Sequence, residues 1–410
     1  MCNTNDNHTH QAHHTPHNQP TTNSNRNRTD LGAEYDRSRR GDVPISRRKR
    51  TDLEPELDRS RGGSGPISRR KWTDLGEKGR AAVRQDVLMS PASFGPDALR
   101  ALVDTLRSRI ETVVVGKPKA VNATIATFLA GGHLLIEDVP GVGKTTLALS
   151  LARCLDLSAS RIQFTADLMP TDVTGLSIYD QSTREFQFHP GPVFAGIVIA
   201  DEINRATPRT QSALLEAMGE GRVSVEGRTL DLPDPFMVVA TQNPLDMEGT
   251  FRLPEAQRDR FMTRLSIGYP DSKAESAMLL ARSGADPVDS LVPVAVADDV
   301  IRARRTVAGL YVDPAVAAYV VALVSATRTD PNLALGASPR AGLHLLAMAR
   351  ARAAMAGRTY VSPDDVARAA PRVLTHRLVP AGRQASDASA SKAAARALAR
   401  HIKSIPVPGS

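Results

Sequence analysis

Between residues 93 and 111 apolar side chains return at helical spacing, and Leu99, Leu102, Val103, Leu106 and Ile110 predict an amphipathic helix. A second helix follows "VGKPKAV". The short run "HLLIE" then reads as a buried strand, because its apolar residues are consecutive rather than alternating. The runs "RIQF", "GIVIAD" and "FMVVATQN" repeat that pattern, with helical stretches at 145–156 and 208–219 between them. Such alternation predicts an α/β fold, a mostly parallel sheet covered on both faces by helices. Two hairpins interrupt it. "LSIYDQSTREFQFHPG" alternates around a polar turn, and "RVSVEGRTLDL" turns at Glu226-Gly227. Beyond Pro270 the strands are expected to stop. Ala-, Leu- and Arg-rich helices run to about residue 380, and residues 381–410 hold an Ala-rich helix and a Pro/Gly tail.

The first 88 residues follow a different rule. "TDLGAEYDRSRRGDVPISRRKR" begins at Thr29, "TDLEPELDRSRGGSGPISRRKW" at Thr51 and a truncated copy at Thr73, a spacing of 22 residues. Each copy is polar, Arg-rich and broken by Pro and Gly, with no apolar stripe on which repeats could stack. The composition predicts a disordered basic tail over 1–88. Two readings of it are open: a tail that contacts an acidic partner, or coding sequence assigned upstream of a true start at Met89. The cluster His8, His10, His13, His14 and His17 reads as part of a polar tail or as an adventitious metal binder.

Composition narrows the classes. A length of 410 residues suggests two to three domains. The net charge is +8, but residues 1–88 hold 17 Lys and Arg against 12 Asp and Glu, leaving 35 against 32 for the rest. The folded part is nearly neutral, so basicity argues little for nucleic acid. Two cysteines, Cys2 and Cys154, offer no disulfide framework or thiolate metal site. No apolar run reaches the roughly 18 residues of a membrane span, and no apolar leader opens the chain, so a cytoplasmic protein is expected.

The chemistry centres on "IEDVPGVGKTT", residues 136–146. Gly141 and Gly143 allow backbone N–H groups to close on phosphates. Lys144 can reach the β and γ phosphates, and the Thr145 hydroxyl can ligate Mg²⁺. Strand, loop and helix stand in the order this needs, since the helix N-terminus adds its dipole. Position 138 is an acid where such loops usually begin with Gly. Its carboxylate is expected to turn outward or to cap local backbone N–H groups, as a tolerated variant whose change to Gly alters ATP affinity little. Further on, the strand "GIVIAD" ends in Asp201-Glu202, 57 residues after Lys144. Asp201 can hold the hydration shell of Mg²⁺ and Glu202 can polarise the attacking water. Asn243 in "VVATQNP" either positions that water or forms a turn before Pro244. Arg258 and Arg260 flank Asp259 in "LPEAQRDRF": an Arg here serves a neighbouring subunit's phosphoryl transfer or makes a plain ion pair with Asp259. Arg340 opens a helix in "GASPRAGLHLL", placed to face a ligand or to cap a neighbouring chain.

Taken together, residues 93 to about 380 closely resemble the MoxR family of AAA+ ATPases. The matching stretches are "GGHLLIEDVPGVGKTTLA", "RIQFTADLMPTDVTG", "FHPGPVFAGIVIADEINRATPRTQSALLEAM", "VVATQNPLDMEGTFRLPEAQRDRF" and "ASPRAGLHLL". The N-terminal repeat has no counterpart in it. The resemblance implies an α/β P-loop ATPase domain over 93–270 and a smaller all-α lid over 271–380. It implies a ring, typically a hexamer, with the hairpin at 176–190 as an insert and the one at 223–232 before the sensor-1 strand. Pro140, Gly141, Val142, Gly143, Lys144, Thr145 and Thr146 would be the Walker A cradle for ATP. Asp201 and Glu202 would be Walker B, with Thr145 and Asp201 on Mg²⁺. By the same resemblance Asn243 is sensor 1, Arg260 the arginine finger and Arg340 sensor 2, in cis or in trans. Val115 and Gly116 would line the adenine pocket, where Lys117 stands in place of the relatives' usual Gln.

Family members look like chaperones or assembly factors that remodel or activate client proteins, usually beside a separate protein with a von Willebrand factor A domain. Two alternatives stand next to this: a chelatase-type metal-insertion subunit and a DNA-translocating motor. The motor needs basic pore hairpins. The first hairpin here carries one Arg against Asp180 and Glu185, and the second balances Arg222 and Arg228 with Glu226 and Asp231.

Overall fold

The computed structural model describes residues 94–243, 250–251, 253–281, 286–382 and 387–408. The 22-residue repeats lie outside them.

Two helices open the described chain, α1 (Pro96–Glu111) and α2 (Pro118–Leu129). The five apolar residues expected to face inward from α1 are all buried. Next come β1 (Leu134–Glu137), α3 (Lys144–Cys154), β2 (Ala159–Gln163) and the short α4 (Pro170–Thr174). The hairpin β3 (Gly175–Asp180) and β4 (Glu185–Pro190) precedes β5 (Ile197–Asp201). After α5 (Pro208–Glu220) stands a second hairpin, β6 (Arg222–Val225) and β7 (Arg228–Asp231), and then β8 (Met237–Gln242). A four-residue α6 (Glu255–Arg258) leads to β9 (Thr263–Leu265).

The central sheet has the order β2-β5-β8-β1-β9, and every pairing is parallel. Its strands are apolar at successive positions because both faces are covered. Ile197, Ile199, Met237 and Val239 point into a core shared with α1, α2 and α3, whereas Val198, Ala200, Val238 and Ala240 point into a second core with α5. The strand tips that carry chemistry therefore emerge along one edge of a rigid layer.

The chain continues through α7 (Ser272–Ala281), α8 (Ala297–Ala308), α9 (Pro314–Thr329), α10 (Pro339–Met355), α11 (Pro363–Leu374) and α12 (Asp387–Ser404). Proline occupies the first turn of α9, α10 and α11, where its missing N–H costs nothing. Asp313 and Ser338 cap α9 and α10, and Ser362 and Asp365 form a capping box on α11. The strands do not stop entirely at Pro270. Leu333–Leu335 (β10) pairs antiparallel with Val379–Pro380 (β11), in segments of three and two residues that are too short to show a period. Among the described residues no helix is long and apolar enough to cross a membrane.

Candidate active site

The loop 138–143 links β1 to α3 and turns on two left-handed glycines, Gly141 at φ 81° and Gly143 at φ 83°. Residues with a Cβ are strained there, and a Cβ built on Gly141 would meet nothing within 4 Å. The loop thus borders open space. Pro140 and Gly141 are exposed, and Val142, Gly143, Lys144, Thr145 and Thr146 are half-buried. No side chain caps the N-terminus of α3. Its first-turn amides and dipole face the space that the glycines leave, which suits the phosphates of a nucleotide.

Lys144 is held by its own loop. Its Nζ donates to the Asp138 carbonyl at 2.6 Å and to the Gln242 carbonyl at 3.5 Å. Burial lowers its pKa, against the opposing pull of Asp138, Asp201 and Glu202. The three carboxylates favour the cationic form of this partly buried ammonium.

Across the sheet, β5 lies beside β8 and delivers Asp201 and Glu202 next to that loop. Thr145 Oγ1 is 3.3 Å from Asp201 Oδ2, so the two residues named as metal ligands do meet. Asp201 also accepts from Thr241 Oγ1 at 3.2 Å and from Arg161 Nε at 2.6 Å. Glu202 has left-handed backbone, φ 56° and ψ 47°, and its amide donates to Thr241 Oγ1 at 3.0 Å. Its carboxylate takes Gln163 Nε2 and Arg205 Nε, each at 3.0 Å. A non-glycine residue in that conformation is strained, and at a strand tip this turns the carboxylate out of the sheet. Asn243 follows β8 and is buried.

The oxygen set fits a hard divalent ion. Thr145 Oγ1 and Asp201 supply two donors, and no group of three or more His, Cys, Asp or Glu among the described residues could hold a metal unaided. Mg²⁺ commonly binds through one or two protein oxygens plus phosphate and water, which this pair would allow.

Asp138 follows the second of its two expectations and caps backbone N–H groups, most of them remote in the chain. Its carboxylate is not turned outward but buried. It accepts the amides of Ile267 and Gly268, each at 2.6 Å, the Ser266 hydroxyl at 3.0 Å and the Val139 amide at 3.0 Å. Three of these four donors come from the segment that leaves β9, about 130 residues away in the chain. An acid at this position is therefore a tie between the phosphate loop and the exit from the sheet.

Val115 is half-buried and Gly116 exposed in the turn between α1 and α2, against the start of α7. Gly116 has φ 74°, and a Cβ there would come within 3.0 Å of Ala274 Cβ. Lys117 Nζ bonds the Tyr269 carbonyl at 2.6 Å, so this lysine straps the segment down.

Arg260 and Arg340 stand apart from the loop, with no hydrogen bond or ion pair to Lys144, Thr145, Asp201 or Glu202. The Arg260 guanidinium donates to the Leu215 carbonyl of α5 at 2.6 Å and lies on Gly219. Arg340 is half-exposed, with Nη1 3.8 Å from Asp259 Oδ2. Asp259 gathers the helical region: Ser338 Oγ donates to it at 2.9 Å and Arg377 Nε at 2.8 Å. Arg161, Gln163, Thr241 and Arg205 are site residues that the sequence did not single out. The pairing of β2 beside β5, with Gln163 in register with Asp201, would have named the first two.

A P-loop beside an acid-tipped strand, in a five-stranded parallel sheet followed by a helical region, defines an AAA+ ATPase. Residues 133–263 match the family model for ATPases associated with various cellular activities, and residues 325–399 match the AAA lid domain. The chain is 47% identical over 281 residues to YeaC of Bacillus subtilis (strain 168), covering 68% of this chain and 88% of that one. It is 44% identical over 297 residues to the chaperone MoxR1 of Mycobacterium tuberculosis, covering 70% and 78%. A solved structure from Cytophaga hutchinsonii superposes with a TM-score of 0.70 at 31% identity, over 81% of this chain and 99% of that one. The chain belongs to the MoxR family of AAA+ ATPases.

Proposed function

We propose that the protein is a Mg²⁺-dependent ATPase that works in the cytoplasm as a ring, typically a hexamer, and remodels or activates a client protein. The observation that carries the catalytic part is the 3.3 Å contact between Thr145 and Asp201 beside Lys144, with Glu202 adjoining. In this reading the α3 amides and Lys144 hold the phosphates, Asn243 orients a water, and Glu202 accepts its proton as the oxygen attacks the γ-phosphorus. The bond from that phosphorus to the bridging oxygen breaks, leaving ADP and phosphate. A Mg²⁺ on Thr145 and Asp201 would neutralise phosphate charge. Arg260 completes a neighbouring subunit's site, and Arg340 senses the nucleotide state. The domains are read as an ATPase domain over 93–270, a lid over 271–380 and a C-terminal helix and tail over 381–410.

The protein-client reading is supported by the chaperone name of the MoxR1 relative and by the hairpin β3–β4. That hairpin exposes Leu176, Ile178, Tyr179 and Phe186, an apolar rather than cationic surface. Apolar exposure suits polypeptide and gives a DNA backbone little to grip. A partner with a von Willebrand factor A domain belongs to the same reading.

Glu202→Gln tests it. ATP should still bind, because the cradle is intact, while turnover falls at least about 100-fold. A wild-type protein that neither binds nor hydrolyses ATP would sink the proposal.

A further inference from the structure

A cavity of about 340 Å³ lies between α1, α2, α10 and α11. None of its lining residues belongs to the phosphate loop or to the strand tips. Five cations line it: Arg107, Lys119, Arg352, Arg368 and Arg372. No carboxylate does. Asp104 bonds Arg107 at 2.9 Å and Asp364 bonds Arg368 at 2.6 Å, both from outside the wall. Buried Asp365, the other acid near Arg352, is already committed to Arg358 through two bonds of 2.6 Å. Lys119, Arg352 and Arg372 have no carboxylate partner among the described residues.

Like charges are not gathered around a partly buried space without cost. Arg352 shows it most clearly. Its Nε is buried with no hydrogen-bond partner, and burial lowers its pKa; Asp365 and Asp364 pull against this, while Arg368 and Arg372 push the same way as burial. An anion would satisfy the guanidinium and remove the repulsion. The floor is apolar, made by buried Ala126 and Met348. The volume falls in the range of small-molecule pockets, roughly 300–1,000 Å³, and is far too small for a folded chain or a duplex. Arginine forks match phosphate oxygens in pairs, and four separate arginines call for more than one phosphate group.

We propose that this cavity is a second anion site, which takes a small molecule bearing two or more phosphate groups and ties α1 and α2 to α10 and α11. The ligand would bridge helices that precede the phosphate loop in the chain and helices that follow the sheet. It therefore acts on how those two parts are held together rather than on the phosphate loop itself.

The test uses the full chain with its ATP site filled by a non-hydrolysable ATP analogue, with Mg²⁺ in excess. Inorganic tripolyphosphate is titrated by calorimetry. We expect one site per chain, tightest at low salt, and a rise in Tm on binding. The pair Arg352→Gln and Arg372→Gln together should weaken binding at least about tenfold. Arg222→Gln, on the β6–β7 hairpin, should leave it unchanged. Removing two like charges should not lower the Tm of the ligand-free protein, so a failure to fold is distinguishable from a failure to bind. Adenosine 3′,5′-bisphosphate binding more tightly than tripolyphosphate identifies an organic phosphate resting on the apolar floor, and the reverse order identifies a free polyphosphate. Absence of tripolyphosphate binding, equal binding by the double variant, or orthophosphate binding as tightly as tripolyphosphate would each overturn the proposal.

Discussion

The Asp138 carboxylate accepts the Gly268 amide at 2.6 Å, and with it the amide of Ile267 and the hydroxyl of Ser266. Burial alone would raise its pKa, but these donors and the Val139 amide outweigh it and leave the pKa below the ordinary 3.8. The ionised form is thus what the fold uses. Asp138→Gly, read from the sequence as harmless to ATP affinity, should instead release the loop from the β9 exit. It leaves four donors without their acceptor and loosens the carbonyl that holds Lys144 Nζ at 2.6 Å. We expect a loss of about 2–4 kcal/mol in stability and ATP binding weakened about tenfold. Unchanged Tm and unchanged ATP affinity would show that the tie is idle. The sign for pH follows from the lowered pKa. This contribution is present above the unfolded carboxylate value and is lost as pH falls through the folded one.

What the sequence made legible here was what local patterning can carry. The strands β5 and β8 announced themselves because both their faces are buried, so no polar position interrupts them. The phosphate loop was legible because its glycines, lysine and threonine are consecutive. Three of the four partners of Asp138 were not, since those donors lie about 130 residues away. Arg161 was invisible for a related reason: it meets Asp201 only because β2 pairs with β5. The pairing of β10 with β11 was missed because segments of three and two residues carry no period.

Arg161 sets up a competition at Asp201. Its Nε lies 2.6 Å from the same Oδ2 that faces Thr145, while the arginine itself is 58% exposed. A Mg²⁺ arriving there meets a carboxylate already engaged by a cation. In a high-dielectric setting such a charge contributes about 1 kcal/mol. Arg161→Ala should therefore lower the Mg²⁺ concentration for half-maximal ATP turnover by about fivefold, with the stability of the fold little altered. A titration of turnover against Mg²⁺ reads this directly. A higher Mg²⁺ requirement in the variant would mean that the arginine organises the site instead.

Arg260 is bonded to Leu215 of its own α5, and the space it fills is the one left by the missing side chain of Gly219. If Arg260 serves a neighbour's site, the residue must act across a subunit boundary. Arg260→Ala should leave ATP binding within about twofold and cut turnover by roughly 1,000-fold or more. Mixed with Glu202→Gln subunits, it should regain measurable turnover. The Arg260→Ala subunit keeps its own Glu202, and its neighbour supplies the arginine. Mixtures as dead as either variant alone would place Arg260 in its own subunit's site, or in no site.

Two buried histidines, His133 and His376, and the half-buried His344 predict how the molecule meets mild acid. His133 sits just before β1, where its Nδ1 accepts the Val238 amide at 3.0 Å and its Nε2 donates to the Met218 carbonyl at 3.0 Å. That pattern requires the neutral ring, and burial lowers the pKa from 6.5 to about 4 against the Met218 bond, with Arg304 adding to the lowering. His344 accepts from Arg377 at 2.6 Å and is lowered to about 3, first by burial and then by that arginine. His376 is lowered well below 6.5 by burial and Arg377. In each case the unfolded chain binds a proton that the folded one refuses. The stability they contribute is complete above about pH 6.5 and falls as pH drops below it, at about 1.4 kcal/mol per pH unit for each histidine. Denaturation followed between pH 7 and 5 should therefore show a slope of up to about three protons, well before the carboxylates titrate. His133→Gln should be less stable at pH 8 yet lose stability more slowly with acid, with the slope reduced by about one proton. An unchanged slope in that variant would mean that His133 already carries its proton in the native state, and the hydrogen bond from Val238 would then have no acceptor.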